Sequence, residues 1–587
     1  MKRFLTFMLA MSMCVSLAAC GNDDANKPAD DANKPADDTT NTPGDNTTAD
    51  NTQKPADVPP TEGEPDAEQY YNTFFSADPT TLDISRRSDT YSSNIMNNTM
   101  EGLIRLEGHT GEYVIAPAEA ESWESNEAGD VWTFHLREGL KWEDGEPVTA
   151  EQYVYSLRRS VDPATGCPNS FFLNPIKNFE EVNTGALPVE EFGVKAIDER
   201  TLEITLSAPT PTFLQMINST VYYPQREDKV NEYGEAFGSE ADKYISNGPF
   251  KVESWTHNNS IVLVKNDNYW DADTVKLQKV TINIMADQTT YYNAFQNGEI
   301  DSVSTGELEW LDRFQQSDAV YVPVLSNTLS VMPFNNKDAL FSNANVRKAF
   351  GLVIDREDLN DMCFSGLRVP TYGFVVPSIS FGEEIYRDLA GDPIKDMIDA
   401  LAAEGKTPKD LLIQGMEELG LGSDPSTLTV TLSLGGTSEW HKTLGEYLQQ
   451  VYQNELGVTC NLEQMEWGIF SSKVDNGEYQ MGFMGWGAYY SDPYDVLSLF
   501  ESSYDAFGTG WSNAEFDALL KECAHEMDDA KRLEMCKQLE TMIVNDDFVV
   551  NPLACSETQS FFKPYMRGYD TTAFGSSGYK YMYTSGR

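Results

Sequence analysis

The chain is poor in histidine and in positive charge. Its five histidines, His109, His135, His257, His441 and His525, are far apart in the sequence, so only the fold could gather them into a metal or acid–base centre. Eight cysteines occur without a Cys-x-x-Cys pair, which argues against a zinc knuckle or a dithiol redox motif. No Gly-x-Ser-x-Gly elbow, His-Glu-x-x-His or Walker loop is present. Forty-two basic residues stand against 93 acidic ones, a formal net charge of −51, so the body repels nucleic acid and anionic lipid. In so acidic a chain, acidic pairs arise by chance. Asp267, Asp271 and Asp273 lack the glycine and terminal glutamate of an EF-hand calcium loop and read as a solvated segment. The expectation is a non-enzyme with no metal and no cofactor.

Long apolar runs are missing too. The uncharged stretch from Phe4 to Leu17, after Lys2 and Arg3, is too short to span a bilayer comfortably and has the layout of a secretory signal, residues 1–19. It ends in Leu17-Ala18-Ala19-Cys20, which resembles a bacterial lipobox. That pattern implies lipidation at Cys20 and a place at the extracytoplasmic face of the cell membrane; an ordinary signal with an incidental Cys20 is the alternative. Residues 20–66 hold almost no large apolar side chain, and Asp24-Ala25-Asn26-Lys27-Pro28-Ala29-Asp30 repeats at once as residues 31–37. Such a segment cannot offset its ordering entropy by burial, and a coil of roughly 45 residues spans about 40 Å, enough to tether a body clear of headgroups. The six remaining cysteines read as buried thiols, although an exported chain can form disulfides.

About 520 residues are left for the body, a prior of two or three domains. Alternation predicts strands at Val131–Leu136, Leu202–Leu206, Phe250–Val252 and Ile261–Val264. Thr149 and Gln152 form a capping box for a helix, and Asn297-Gly298 stops another that begins near Thr289. The second half has a βα rhythm: strand 428–434, helix 439–454, strand 458–462, helix 467–475, strand 480–486. That rhythm suggests a sheet with covered faces, whose ligand sits outside the carboxyl ends of the strands. Gly485-Trp486-Gly487-Ala488-Tyr489 through Asp492-Pro493 lies at one such end.

Four blocks in order, Trp132–Gly145 with Pro147–Ala150, Asn247–Val252 with Lys265–Trp270, Asn345–Phe350 with Ile354–Arg356, and Gly485-Trp486 with Asp492-Pro493, are similar to the solute-binding proteins of peptide and nickel ABC importers, the oligopeptide- and dipeptide-binding family. The resemblance implies an α/β, two-lobed periplasmic-binding-protein-like fold with a hinge and an extra domain inserted in the first lobe. Lobe I would be 67–110, 240–330 and 559–587, the inserted domain 111–239 and lobe II 331–558, with hinge crossings at Asn335-Asn336 and near Ser556. It implies a monomer that captures peptides and delivers them to a permease and ATPases on separate chains. Oligopeptide-binding members carry an Asp at Tyr489 for the peptide amine, so Asp492 or Asp89 would have to replace that charge. Arginines that meet peptide carboxylates in some members appear here as Val474 and Phe483, while His441 matches a ligand-proximal histidine. Trp467, Trp486, Gly487, Ala488 and Tyr489 complete the expected pocket and favour apolar side chains, although both tryptophans could instead be core. A sensor of the same fold and an extracellular hydrolase are the other readings.

Overall fold

The computed structural model describes residues 63–108, 114–574 and 578–587; the signal, Cys20, the repeated tether and His109 lie outside the described residues. Tyr70–Phe75 pairs in parallel with Lys279–Ile284, and that strand continues antiparallel through Ser260–Lys265 to Phe250–Thr256. Between the first strand and the other three, the chain builds a separate antiparallel sheet in the order Ala120–Ser125, Val131–Leu136, Thr201–Thr205, Val194–Asp198. The expected capping box is present at Thr149, where helix Ala150–Val161 begins; such a cap is worth about 1 kcal/mol. Gln152 also accepts the indole N–H of buried Trp142 at 2.9 Å, which ties the first family block to the helix it precedes.

The third sheet is built on two long strands, Val320–Pro333 and Val550–Phe562. Its order is Ser302–Ser304, Val550–Phe562, Val320–Pro333, Met481–Gly487, Thr429–Leu434, Thr459–Gln464, and the short strand Arg368–Pro370 pairs with Val550–Phe562 as well. The last three strands of that order run parallel to one another, and helices Glu439–Val451 and Trp467–Asp475 connect them. The helix expected to reach residue 454 changes to a π-turn over Tyr452–Leu456 and stops at Gly457, whose φ is +82°.

Buried apolar side chains fall into separate cores. One gathers residues of the first two sheets and the C-terminal segment, a second gathers residues 329–555, and a small third lies around Tyr292, Phe314 and Phe561. The long strands pass between cores: Val322 belongs to the first and Leu329 to the second, while Cys555 belongs to the second and Phe561 to the third. Their register breaks in that interval. Leu325 faces Glu557 and Leu329 faces Cys555, so Ser326, Asn327 and Thr328 bulge opposite Ser556. The register break lies opposite Ser556, one of the two positions named as crossings. Asn335 is not at a crossing: its amide donates to the carbonyls of Gly477 and Tyr479 at 2.8 Å, inside the second core. The strand runs past the bulge before it ends, and that carries Asn335-Asn336 beyond the passage.

The Asn247-Gly248-Pro249 block acts through packing. Asn247 joins the backbone of Glu101 to the carboxylate of Glu119, and a Cβ on Gly248 would come within 2.6–2.7 Å of the Met100 backbone. Gly248→Ala is expected to cost about 2 kcal/mol or more, read as a lower urea midpoint at unchanged m-value.

Candidate ligand-binding site

The strands Thr429–Leu434 and Met481–Gly487 are parallel, so their carboxyl ends lie side by side. At the first end stands Gly435-Gly436. A Cβ on Gly435 would come 2.8 Å from the Trp467 indole, and one on Gly436 would overlap the His441 ring, so the glycine pair lets both side chains close over the strand end. His441 shares a 2.8 Å hydrogen bond between Nδ1 and Ser438 Oγ. Burial, and next the Arg368 guanidinium, push its imidazole down to about 4, so it is neutral at physiological pH.

At the second end Gly487 faces Thr328 across the sheet. Ala488 donates its N–H to Asn327 O at 3.0 Å, and Asn327 Nδ2 donates to Ala488 O at 2.7 Å. Tyr489 then turns outward with 47% of its surface exposed. Its ring meets Phe171 and Phe172 edge-on, at centroid distances of 5.5 and 5.7 Å. Phe172 packs on the first core, so this aromatic contact bridges the two cores beside the bulge. His525 Nδ1 and Pro209 O, 2.8 Å apart, make a second bridge. The Tyr489 N–H donates to Asp495 Oδ2 at 2.6 Å; burial pushes that carboxyl up to about 7.

The acids expected to replace the missing aspartate are engaged elsewhere. Asp492 is buried in a fork with Arg532, Nη1 to Oδ2 at 2.9 Å, and caps the turn at Tyr494. With its charge neutralised internally, it leaves little attraction for a ligand ammonium. Asp89 lies on the first core as the N-cap of helix Thr90–Thr99, accepting from Ser92 N at 2.7 Å and from Thr80 Oγ1 at 2.5 Å. Trp486 points to the other face of its strand from Phe483 and packs edge-on against Phe507 at 5.6 Å, in the second core. Thus Trp467 and His441 gather at one strand end and Gly487, Ala488 and Tyr489 at its neighbour, while Trp486 and Asp492 turn inward and Asp89 stands apart. Phe171 and Phe172 were not anticipated, although an adjacent pair of phenylalanines is a visible signal. Nor was Arg368, which carries no motif; its guanidinium lies 4.0 Å over the Phe364 ring and 5.6 Å over Trp440.

Two cores joined by a pair of long strands, with aromatic side chains meeting between them, fit a two-lobed binding protein. The chain belongs to the bacterial extracellular solute-binding proteins, family 5, whose model matches residues 114–508. It is therefore an extracytoplasmic binding protein with a two-lobed α/β fold, not an enzyme. It is 34% identical to "Dipeptide-binding protein DppE" of Bacillus subtilis over 80% of this chain and 83% of that protein. To "Oligopeptide-binding protein OppA" of the same organism it is 31% identical over 82% of this chain and 86% of that protein. The solved structure titled "Listeria monocytogenes OppA bound to peptide" matches at 29% identity with a TM-score of 0.67, over 89% of this chain and 100% of that one.

The lowered pKa of His441 sets a pH dependence. Above the unfolded value near 6.5 both states are neutral there. As pH falls from that value towards about 4, only the unfolded chain gains the proton, so stability drops across this window and the loss levels off below it. His441→Asn removes this term, so urea unfolding of the two proteins should show the wild type losing more stability than the variant between pH 6.5 and 4.

Proposed function

We propose that this chain is the lipid-anchored receptor of an ABC importer that captures peptides, favouring apolar side chains, and delivers them to a permease served by ATPases on separate chains. The names of its relatives support the peptide class. The observation that carries the reading is the contact of Tyr489 with Phe171 and Phe172 across the two cores, which offers apolar area where a ligand would be enclosed. In this reading lobe I is 67–110, 240–330 and 559–587, the inserted domain is 111–239, and lobe II is 331–558. The lobes close about the bulged crossing, a hinge motion of a familiar type. The protein acts as a monomer. Trp467, His441, Gly487, Ala488 and Tyr489 line the ligand from lobe II.

Native mass spectrometry of the purified protein incubated with a peptide mixture should return intact peptides enriched in apolar residues; cleaved products would sink the binding-only reading. Tyr489→Ala should weaken binding of the recovered peptides by about tenfold in titration calorimetry. Unchanged affinity for all of them would remove Tyr489 from the site. For the anchor, Cys20→Ser should move the protein from the membrane fraction to the soluble fraction, with loss of the diacylglyceryl mass on the N-terminal peptide. Retention in the membrane would refute lipidation at Cys20.

A further inference from the structure

The other buried arginines of the second core are held by protein acceptors: Arg532 pairs with Asp492 and Arg387 with Glu540. Arg347 donates to the carbonyls of Phe341, Asp547 and Phe548, and Arg356 to those of Thr371 and Pro552 and to Asn551. Arg368 differs. Its guanidinium makes one hydrogen bond, from Nη1 to Ser330 Oγ, and among the described residues no acidic side chain pairs with it. Nε and Nη2 have no protein acceptor, yet neither is a sealed, unpaired atom, so both reach open space. The residue as a whole is half-buried, and burial pushes the guanidinium down to about 10, so it keeps its charge. A partly desolvated cation without a counter-charge is costly, and here it persists in a chain with 93 acidic residues that could have supplied one.

The position is as informative as the charge. Arg368 faces Ser556, the residue opposite the bulge where the long strands pass between cores. Ser330, which holds the guanidinium, is in register with Gly485 on the strand that leads to Tyr489. Phe364 and Trp440 stack 5.9 Å apart beside the cation, and His441 follows Trp440 in its helix, neutral and so without charge to compete for an anion.

We infer that Arg368 is the anion anchor of the ligand site and that its open Nε and Nη2 edge receives a carboxylate of the bound peptide, from its C-terminus or from an acidic side chain. This rests on the peptide reading above. A planar two-donor edge matches a carboxylate bidentately, and the aromatic wall lowers the local dielectric, which strengthens the pair. One guanidinium answers one negative charge, and the field of a chain with a net charge of −51 disfavours ligands with several.

The test uses mature protein and three synthetic libraries of tri- to pentapeptides: free C-termini, C-terminal amides, and free C-termini without Asp or Glu. Retained peptides are counted by mass spectrometry for the wild type, Arg368→Gln and Arg368→Lys. The wild type should retain acids over their amides, or acidic over neutral sequences, by about tenfold, and Arg368→Gln should abolish that preference. Loss of the acid-over-amide preference assigns the C-terminus, and loss of the Asp/Glu preference assigns a side chain. Arg368→Lys, which keeps the charge without the fork, should retain part of it. Wild-type protein that binds peptides with neither preference, or an Arg368→Gln variant that keeps the preference, overturns the anchor alone. A wild type that binds no peptide overturns the peptide reading and this inference together. The wild-type comparison of acids with amides needs no variant, so it stands if Arg368→Gln does not fold.

Discussion

The pairing of Val320–Pro333 with Val550–Phe562 is the constraint on which the rest of the structure depends. Backbone hydrogen bonds make the two strands one stiff ribbon, and the ribbon enters both cores. Any change in the angle between the cores has to be absorbed where the ladder is broken, at Ser326–Thr328 opposite Ser556. Several segments are fastened at that place: Ala488 to Asn327, Arg368 beside Ser556, and Ser378 through its hydroxyl to the Ser326 carbonyl at 2.8 Å. In the proposed closure, a movement small at the bulge would reach Tyr489 and its aromatic partners as a displacement of one lobe against the other.

The distribution of charge follows a second rule. The chain has a large acidic excess, but the two acids expected at the ligand, and Asp495 beside Tyr489, serve the protein itself. Asp492 neutralises Arg532, Asp89 caps a helix, and Asp495 braces the turn at Tyr489. Beside the strand ends stand aromatic side chains, a neutral histidine and one guanidinium without an acidic partner among the described residues. If the proposed site holds, a site of that composition would bind through apolar area and one oriented charge contact, with little weight on recognising an ammonium.

Several elements were legible before any coordinates. The capping box at Thr149, the strands at Phe250–Val252 and Ile261–Val264, the glycine stop at Gly298 and the helix Trp467–Asp475 each depend on neighbours within a few residues, and all stand as read. The family blocks were legible as blocks, but their physical role was not: Trp142, Asn247, Arg347 and Arg356 hold segments together through internal hydrogen bonds. Trp486 was misplaced because Met481–Gly487 is covered on both faces, so its residues show no polar alternation to say which face looks outward. The crossing at Asn335-Asn336 was implied by the family resemblance alone, whereas the register break is a bulge among Ser326, Asn327 and Thr328.

The sequence by itself determined the class of the molecule: an acidic, exported, mixed α/β binding protein without catalytic motifs, of a family marked by ordered packing blocks. Those properties are sums over composition or patterns over short spans, and they survive without knowledge of what touches what. The tertiary structure alone decided which acids are already neutralised, which tryptophan is core and which arginine is left open. Each of these is a relation between residues far apart in the chain, as Asp492 is from Arg532 and Arg368 from Ser330 and Ser556, and such relations exist only once the long strands have set the register.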